Sequence, residues 1–271
     1  MIQVDMHVHS GHSRQPAEWF LQRPGAQASY TDVEEVYRIA KARGMTYVTL
    51  TDHDTIDGAL ELHARHPDDT FVSAEVTSYF PEDGCQIQVL VYDITPAQFD
   101  VIETQREDIH RLRDYLRTER IACSVAHATT SINDRLSLAT IEKLVLLFDV
   151  FEGINGGRDP AHNRTWVEAL RALTPAHVAR LQRKHGIEPW GPNAWSKGLT
   201  GGSDDPAGRL IGRTFTMGCD ATIPEFIEQV RRRETLPGGR HAEHKSRACA
   251  AAEDRCQTRL AYVDADAAGA R

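Results

Sequence analysis

Short β-branched or apolar runs alternate with amphipathic helical stretches along most of this chain, and that alternation restricts the fold more than any other feature. IQVDMHV at the N-terminus, TYVTLT (46–51), FVSAEV (71–76), CQIQVLVYD (85–93), IACSVAH (121–127), DVFEGIN (149–155) and GLTGGSD (198–204) read as strands. TDVEEVYRIAKARG (31–44) reads as a helix, with Thr31 and Glu34 as a capping box and Gly44 as its stop. DGALELHARH, TPAQFDVIETQREDIHRLRDYLRTE (95–119, opened by Thr95 and Pro96), LATIEKLVLLF, TPAHVARLQRKHG (174–186) and IPEFIEQVRRRE (223–234) read as further helices. This order predicts parallel strands in an α/β layered or barrel fold, with GLTGGSD as the last strand of the core. Such folds collect their functional groups at the C-terminal ends of the strands.

The residues at those ends are ligand types. In DMHVHSGHS, His7 and His9 are separated by one residue on a strand. Alternation puts them on the same face, where both imidazoles can reach one ion at about 2.0–2.1 Å. Asp52 and His53 follow the second strand, Glu75 ends the third, His127 a later one and Asp204 the last. Imidazole with carboxylate suits Zn, Mn or Fe, and a carboxylate can bridge two ions. A two-ion site can position phosphate, generate hydroxide and stabilise an in-line displacement. The remaining histidines, His63, His66, His110, His162, His177, His185, His241 and His244, read as capping or solvated residues on helix faces or near the C-terminus. His12 reads as solvated.

Net charge is −8, which gives no bulk attraction to nucleic acid or to an anionic membrane. An anionic substrate therefore needs a metal or a few local cations, and Arg158 (in NGGRDP), Lys197 and Arg213 (in IGRTF) are basic residues near strand ends. The five cysteines include no C-x-x-C pair, which argues against a disulfide scaffold or cysteine zinc site and fits a cytoplasmic protein. MIQVDMHVHS is too short and polar for a signal peptide, and no apolar run approaches ~18 residues. From residue 238 onward the chain is rich in alanine and charge without sustained periodicity. It divides into one domain over 1–240 and a poorly packed tail over 241–271.

DMHVHS, LTDHDTIDGALE, SAEVTSYFPEDGCQIQVL, AHA and GLTGGSDDPAG stand in an order and spacing that resembles the polymerase and histidinol phosphatase (PHP) superfamily of metal-dependent phosphoesterases. The resemblance covers roughly residues 1 to 235. WFLQRPGA, SYTDVEEVYRIAKARGM and GPNAWSKGLTGGSDD resemble one subgroup, PHP proteins found alone or joined to a glycosyltransferase. It implies a distorted (β/α)7 barrel that holds divalent metal (Zn, Mn or Fe) and hydrolyses phosphomonoesters or phosphodiesters. Position by position, it implies a first ion on His7, His9, Glu75 and Asp204. A second ion shares Glu75 and takes His127, with Gln88 where the family has histidine. A third would use His53, but Arg14 and Pro206 stand where the family has ligands. One or two ions are therefore expected.

A guanidinium at Arg14 repels a third cation, or replaces it and binds phosphate bidentately. Arg14, Arg158 and Arg213 are accordingly candidate catalytic residues. Asp5 is expected to orient a ligand histidine, and Asp52 and Asp54 to do the same or to cap the following helix. The leading reading is hydrolysis of a small phosphorylated substrate. The alternative is a catalytically degenerate domain that binds a metal, nucleotide or sugar phosphate as the partner of a glycosyltransferase. A metal-dependent amidohydrolase is a third reading, weakened by the lack of a strand-end lysine between the H-x-H pair and the later histidine.

Overall fold

The computed structural model describes residues 1–13, 31–205 and 207–239. Strands β2 (Val48–Leu50), β3 (Thr70–Tyr79), β4 (Gln86–Tyr92), β5 (Ala122–Val125), β6 (Val150–Asn155) and β7 (Gly198–Gly202) form a six-stranded sheet in chain order. β1 (Ile2–Val4), β8 (Thr214–Gly218) and β9 (Leu236–Gly239) form a three-stranded antiparallel sheet in the order β1-β8-β9. The helices are α1 (Val33–Ala42), α2 (Asp57–Arg65), α3 (Pro96–Gln105), α4 (Ile109–Thr118), α5 (Leu138–Leu147), α6 (Pro160–Arg171), α7 (Pro175–His185) and α8 (Ile223–Arg231). None of them is long and apolar enough to cross a membrane.

The α/β class holds, but the strands are not all parallel. β2 with β3, and β5 with β6 and β7, run parallel, whereas β4 is antiparallel to both neighbours. Too few residues separate Tyr79 from Gln86 for a helical crossover, so the chain turns back through Gly84, whose N–H donates to Phe80 O at 2.7 Å.

The segment after β1 joins the two edges of the larger sheet. Thr51 N donates to Val8 O at 2.8 Å on the β2 side, and Asp204 N donates to His7 O at 2.8 Å on the β7 side. The approach to β7 is close enough that a Cβ on Gly202 would lie 2.3 Å from His7 Cβ. This closure carries His7 and His9 to the C-terminal ends of the other strands.

Alternation along each strand sorts the sheet into two faces. The outward face buries Val72, Ala74 and Val76 of β3 and Val89 and Val91 of β4 beneath the helices. The inward face is apolar at one end, where Phe71, Leu90, Tyr92 and Val150 pack with Ile2, Val4 and the α8 residues Phe226 and Val230. The same inward registers become polar further along, at Glu75, Gln88 and Glu152, all buried. The interior is thus an apolar plug beneath a polar floor.

Several element boundaries differ from the sequence reading. The stretch 95–119 is two helices, because Asp108 accepts from His110 N at 2.9 Å and starts α4 afresh. Asp32, not Thr31, caps α1, accepting from Glu34 N at 2.9 Å. α6, β8 and β9 were not anticipated, and β9 takes in Gly238 and Gly239 from the stretch expected to lie outside the core. The tail over 241–271 lies outside the described residues.

Candidate metal centre

Glu75 sits in the middle of the site, fully buried in β3 with its side chain toward the interior. Its Oε2 lies 3.2 Å from His7 Nε2, 3.4 Å from His9 Nε2 and 2.9 Å from His53 Nδ1. Its Oε1 lies 3.3 Å from His127 Nε2. Asp204 Oδ1 faces the same two histidines, at 3.4 Å from His7 Nε2 and 3.3 Å from His9 Nε2. Ligand atoms of His7, His9 and Glu75 lie within 4.8 Å of one another, as do those of His7, His127 and Asp204. The segments after β1, β2, β5 and β7 and the middle of β3 therefore bring His7, His9, His53, Glu75, His127 and Asp204 together; Glu75 was expected to end its strand, but β3 pairs with β4 as far as Tyr79. Gln88 joins them, with its Nε2 3.1 Å from His53 Nδ1. His53 stacks on His9 with ring centroids 4.4 Å apart, so the residue expected to anchor a separate third ion stands among the first-ion ligands.

The carboxylate that orients His7 is Glu152, a residue the sequence reading did not select. Glu152 Oε1 is 2.9 Å from His7 Nδ1, which assigns the Nδ1 proton to that contact and turns Nε2 toward Glu75 and Asp204. Its other oxygen accepts from His127 N at 2.9 Å and from Asn155 Nδ2 at 2.8 Å. Asn155 also donates to Asp204 Oδ2 at 3.0 Å. The available signal was an acid within the otherwise apolar run DVFEGIN.

Asp5, expected in that orienting role, instead ties backbone together. It accepts from Ser203 N at 2.8 Å, Gly212 N at 2.7 Å and His7 N at 3.3 Å. Burial pushes its carboxyl up to about 7 despite these bonds. Asp52 holds the loop after His9, accepting from Ser10 N at 2.6 Å and Ser13 Oγ at 2.8 Å. Asp54 accepts from Thr77 N at 2.7 Å. Neither caps α2, whose N-cap residue Ile56 has no side-chain bond.

The electrostatics are those of an ion-binding cluster. Burial pulls the His7 imidazole down, but Glu75, Asp204 and Glu152 outweigh it and hold it well above its ordinary value. Burial likewise opposes ionisation of Glu75 and Asp204, yet the facing histidines hold both carboxyls below the usual range. His9 is pulled down by burial and by the charge of His53. Burying this many ionisable groups is costly unless they pair or coordinate a cation. Among the described residues, His53 Nε2 is buried without a hydrogen-bond partner, as expected of a group facing a metal. Imidazole and carboxylate in this mixture fit Zn, Mn or Fe. His127 (φ 24°) and Asp204 (φ 50°) also hold left-handed backbone conformations, the kind of strain, about 1–3 kcal/mol each, that collects at functional sites.

The expected basic residues are placed unequally. Arg158 Nη2 lies 3.7 Å from Asp204 Oδ2, at the edge of the cluster. Arg213 lies just before β8, where its backbone N donates to Leu210 O at 2.8 Å. Lys197 is committed elsewhere, donating to Val145 O at 2.7 Å, Phe148 O at 2.8 Å and Asp149 Oδ1 at 3.0 Å. That corrects its candidacy as a phosphate contact, since all its donors fasten the end of α5. His12 pairs with Glu61 Oε2 at 3.0 Å. Arg14, Pro206, His241 and His244 lie outside the described residues.

No family model and no curated protein sequence matches the chain. Solved structures do. An amidohydrolase from Chromobacterium violaceum, determined with bound sulfate and no metal, is similar with a TM-score of 0.52 and 15% identity over 90% of this chain and 99% of that one. PsfC from Pseudomonas syringae PB-5123 is similar with a TM-score of 0.50 and 16% identity over 95% of this chain and 98% of that one. At these identities the likeness is one of fold, and this chain shares the fold of both.

Proposed function

We propose that the chain is a metal-dependent hydrolase of small phosphate esters, on a distorted seven-stranded β/α barrel closed by the segment after β1. The observation that carries this reading is the convergence of His7, His9, Glu75, His127 and Asp204, with His7 oriented by Glu152. His7, His9, Glu75 and Asp204 would hold one ion, and Glu75 with His127 and Gln88 a second, weaker one, because an amide oxygen is a poorer donor than imidazole. A bound ion supplies a Lewis acid for the phosphoryl oxygens and a water acidified toward pKa ~7.

The chain's own residues supply position. Glu152 keeps His7 in the tautomer that presents Nε2. Asn155 Nδ2 bridges Glu152 and Asp204, donating to them at 2.8 Å and 3.0 Å. Arg158, half-buried with its Nη2 3.7 Å from Asp204 Oδ2, would take a phosphate oxygen. Arg14 and Arg213 remain candidates for the same task.

A second reading is supported by Gln88, whose amide stands beside His53 where the resemblance expects a histidine for the second ion. On that reading the domain holds a metal or a phosphorylated ligand without turnover, as the partner of a sugar-transfer enzyme. A panel of phosphomonoesters, phosphodiesters and amides, run with Zn, Mn and Fe, separates the readings. Phosphoester turnover that disappears in Asp204→Asn is the expected result. Metal binding without turnover on any phosphoester would replace it with the second reading, and turnover confined to amides would overturn both.

A further inference from the structure

Two helices end side by side at the other end of the sheet, each followed by an arginine in the conformation that glycine usually takes. Arg120 follows α4 with φ 55°, and Arg233 follows α8 with φ 63°. A left-handed residue after a helix is most easily glycine, so these side chains are held against a backbone preference. Arg233 has an evident structural use: its Nη1 donates to Ser196 O at 3.1 Å and pairs with Asp149 Oδ2 at 3.2 Å. Arg120 does not. Its side chain is 74% exposed, and the acid it reaches, Glu228, is 3.9 Å away. The turn beneath it is fixed by Arg231 Nη1, which donates to Arg120 O at 2.9 Å.

Between the two helix ends lies a cavity of about 270 Å³. Cys123 and Val150 form its floor, Trp190 a wall, and Arg117, Arg120, Arg231 and Arg232 its rim. Two acids line it, and both are already engaged. Asp149 pairs with Lys197 and Arg233. Glu228 is shared among Arg120, Arg231 and Arg232. One carboxylate among four guanidiniums leaves a positive surplus on a chain whose net charge is −8. The C-terminal dipoles of α4 and α8, each worth roughly half a charge, soften this surplus without cancelling it. Burial first, and then the charges of Arg120 and Arg232, push Arg231 below its ordinary value.

The cavity lies where β5 and β6 begin, whereas His127 and Asn155 lie where those strands end. At ~3.3 Å per residue, the length of β6 puts it on the order of 16 Å from the metal cluster. We infer that it is a second site, for a small organic phosphate. The phosphate would lie on Arg120 and Arg232, and the body of the ligand against Trp190 and the apolar floor. This does not depend on the activity proposed for the metal centre.

Calorimetric titration of the full chain, treated with chelator, with adenosine 5′-monophosphate and with inorganic phosphate tests it. The probe arms ask whether the site takes phosphate alone or needs an attached body. The expected result is one nucleotide per chain, bound more tightly than phosphate and more weakly as salt rises. Arg120→Gly with Arg232→Gln should weaken it about ten-fold or more, since each removes a charge-assisted contact. Glycine suits the left-handed turn and the Arg232–Glu228 pair is largely exposed, so that variant should melt within about two degrees of the parent. Asp204→Asn, checked for folding by its melting curve, should bind as the parent does. Absence of nucleotide binding at millimolar concentration, affinity unchanged in the arginine variant, or affinity lost in folded Asp204→Asn would each overturn the inference. Phosphate binding as tightly as the nucleotide would overturn the assignment of an organic ligand.

Discussion

Glu152 is the residue through which most of the site's geometry passes, since its two oxygens touch His7, His127 and Asn155. Replacing it with glutamine keeps its size but permits an amide nitrogen where an acceptor must face His7 Nδ1. Metal affinity should fall about 10–100-fold with the fold retained, as measured by competition with a chromophoric chelator. Unchanged affinity would mean that the ring of His7 is fixed by other contacts. At this scale the sequence was legible where chemistry and position coincide. His7, His9 and Asp204 are ligand types just beyond strands, and spacing alone puts the first two on one face; Glu75 was legible as a ligand but not as a mid-strand residue, because the pairing that carries β3 on to Tyr79 is with β4. Glu152 was illegible because a charged residue in a strand ordinarily marks the solvent side, and only closure of the sheet turns that register inward. Asp5 was misread because its partners Ser203 and Gly212 come from the far end of the chain.

Among the elements, the contact between β7 and the segment after β1 tolerates the least change. Gly202→Ala would push a methyl into His7 backbone and Cβ atoms at 2.3–2.8 Å, and neither strand can move without opening the closure. The variant should lose about 1–3 kcal/mol or more in urea unfolding and release metal with it. Lys197, which fastens the end of α5, makes a prediction about pH. Burial lowers its ammonium from 10.5 to about 8. Between about 8 and 10.5 the unfolded chain therefore binds the proton that the folded chain has released, so Lys197's contribution to stability rises with pH across that window. The stability of the parent relative to Lys197→Met should increase from pH 7.5 to pH 10, and a flat difference would contradict the lowered value. Helix and strand patterns were legible where periodicity is sustained. β8 and β9 were not, because LPGG becomes a strand only by pairing with TFTMG. α6 does carry a start signal in the sequence, Asp159 as N-cap followed by Pro160.

For the whole molecule, the alternation of strands and helices made the α/β class legible. The antiparallel β4 and the closing role of the N-terminal segment depend on long-range hydrogen bonds that no local pattern encodes. β9 completes the described core, so a chain ending at Arg240 should melt within about two degrees of the parent and keep its metal. A larger loss would assign a packing role to the residues beyond it. The central claim is that His7, His9, Glu75, His127 and Asp204 form a metal site. Elemental analysis of the full chain, loaded in turn with Zn, Mn and Fe and freed of excess ion, tests it most directly. The account predicts one or two ions per chain in the parent and a several-fold lower content in folded His7→Ala. No retained ion, three ions per chain, or a content unchanged by His7→Ala would contradict it.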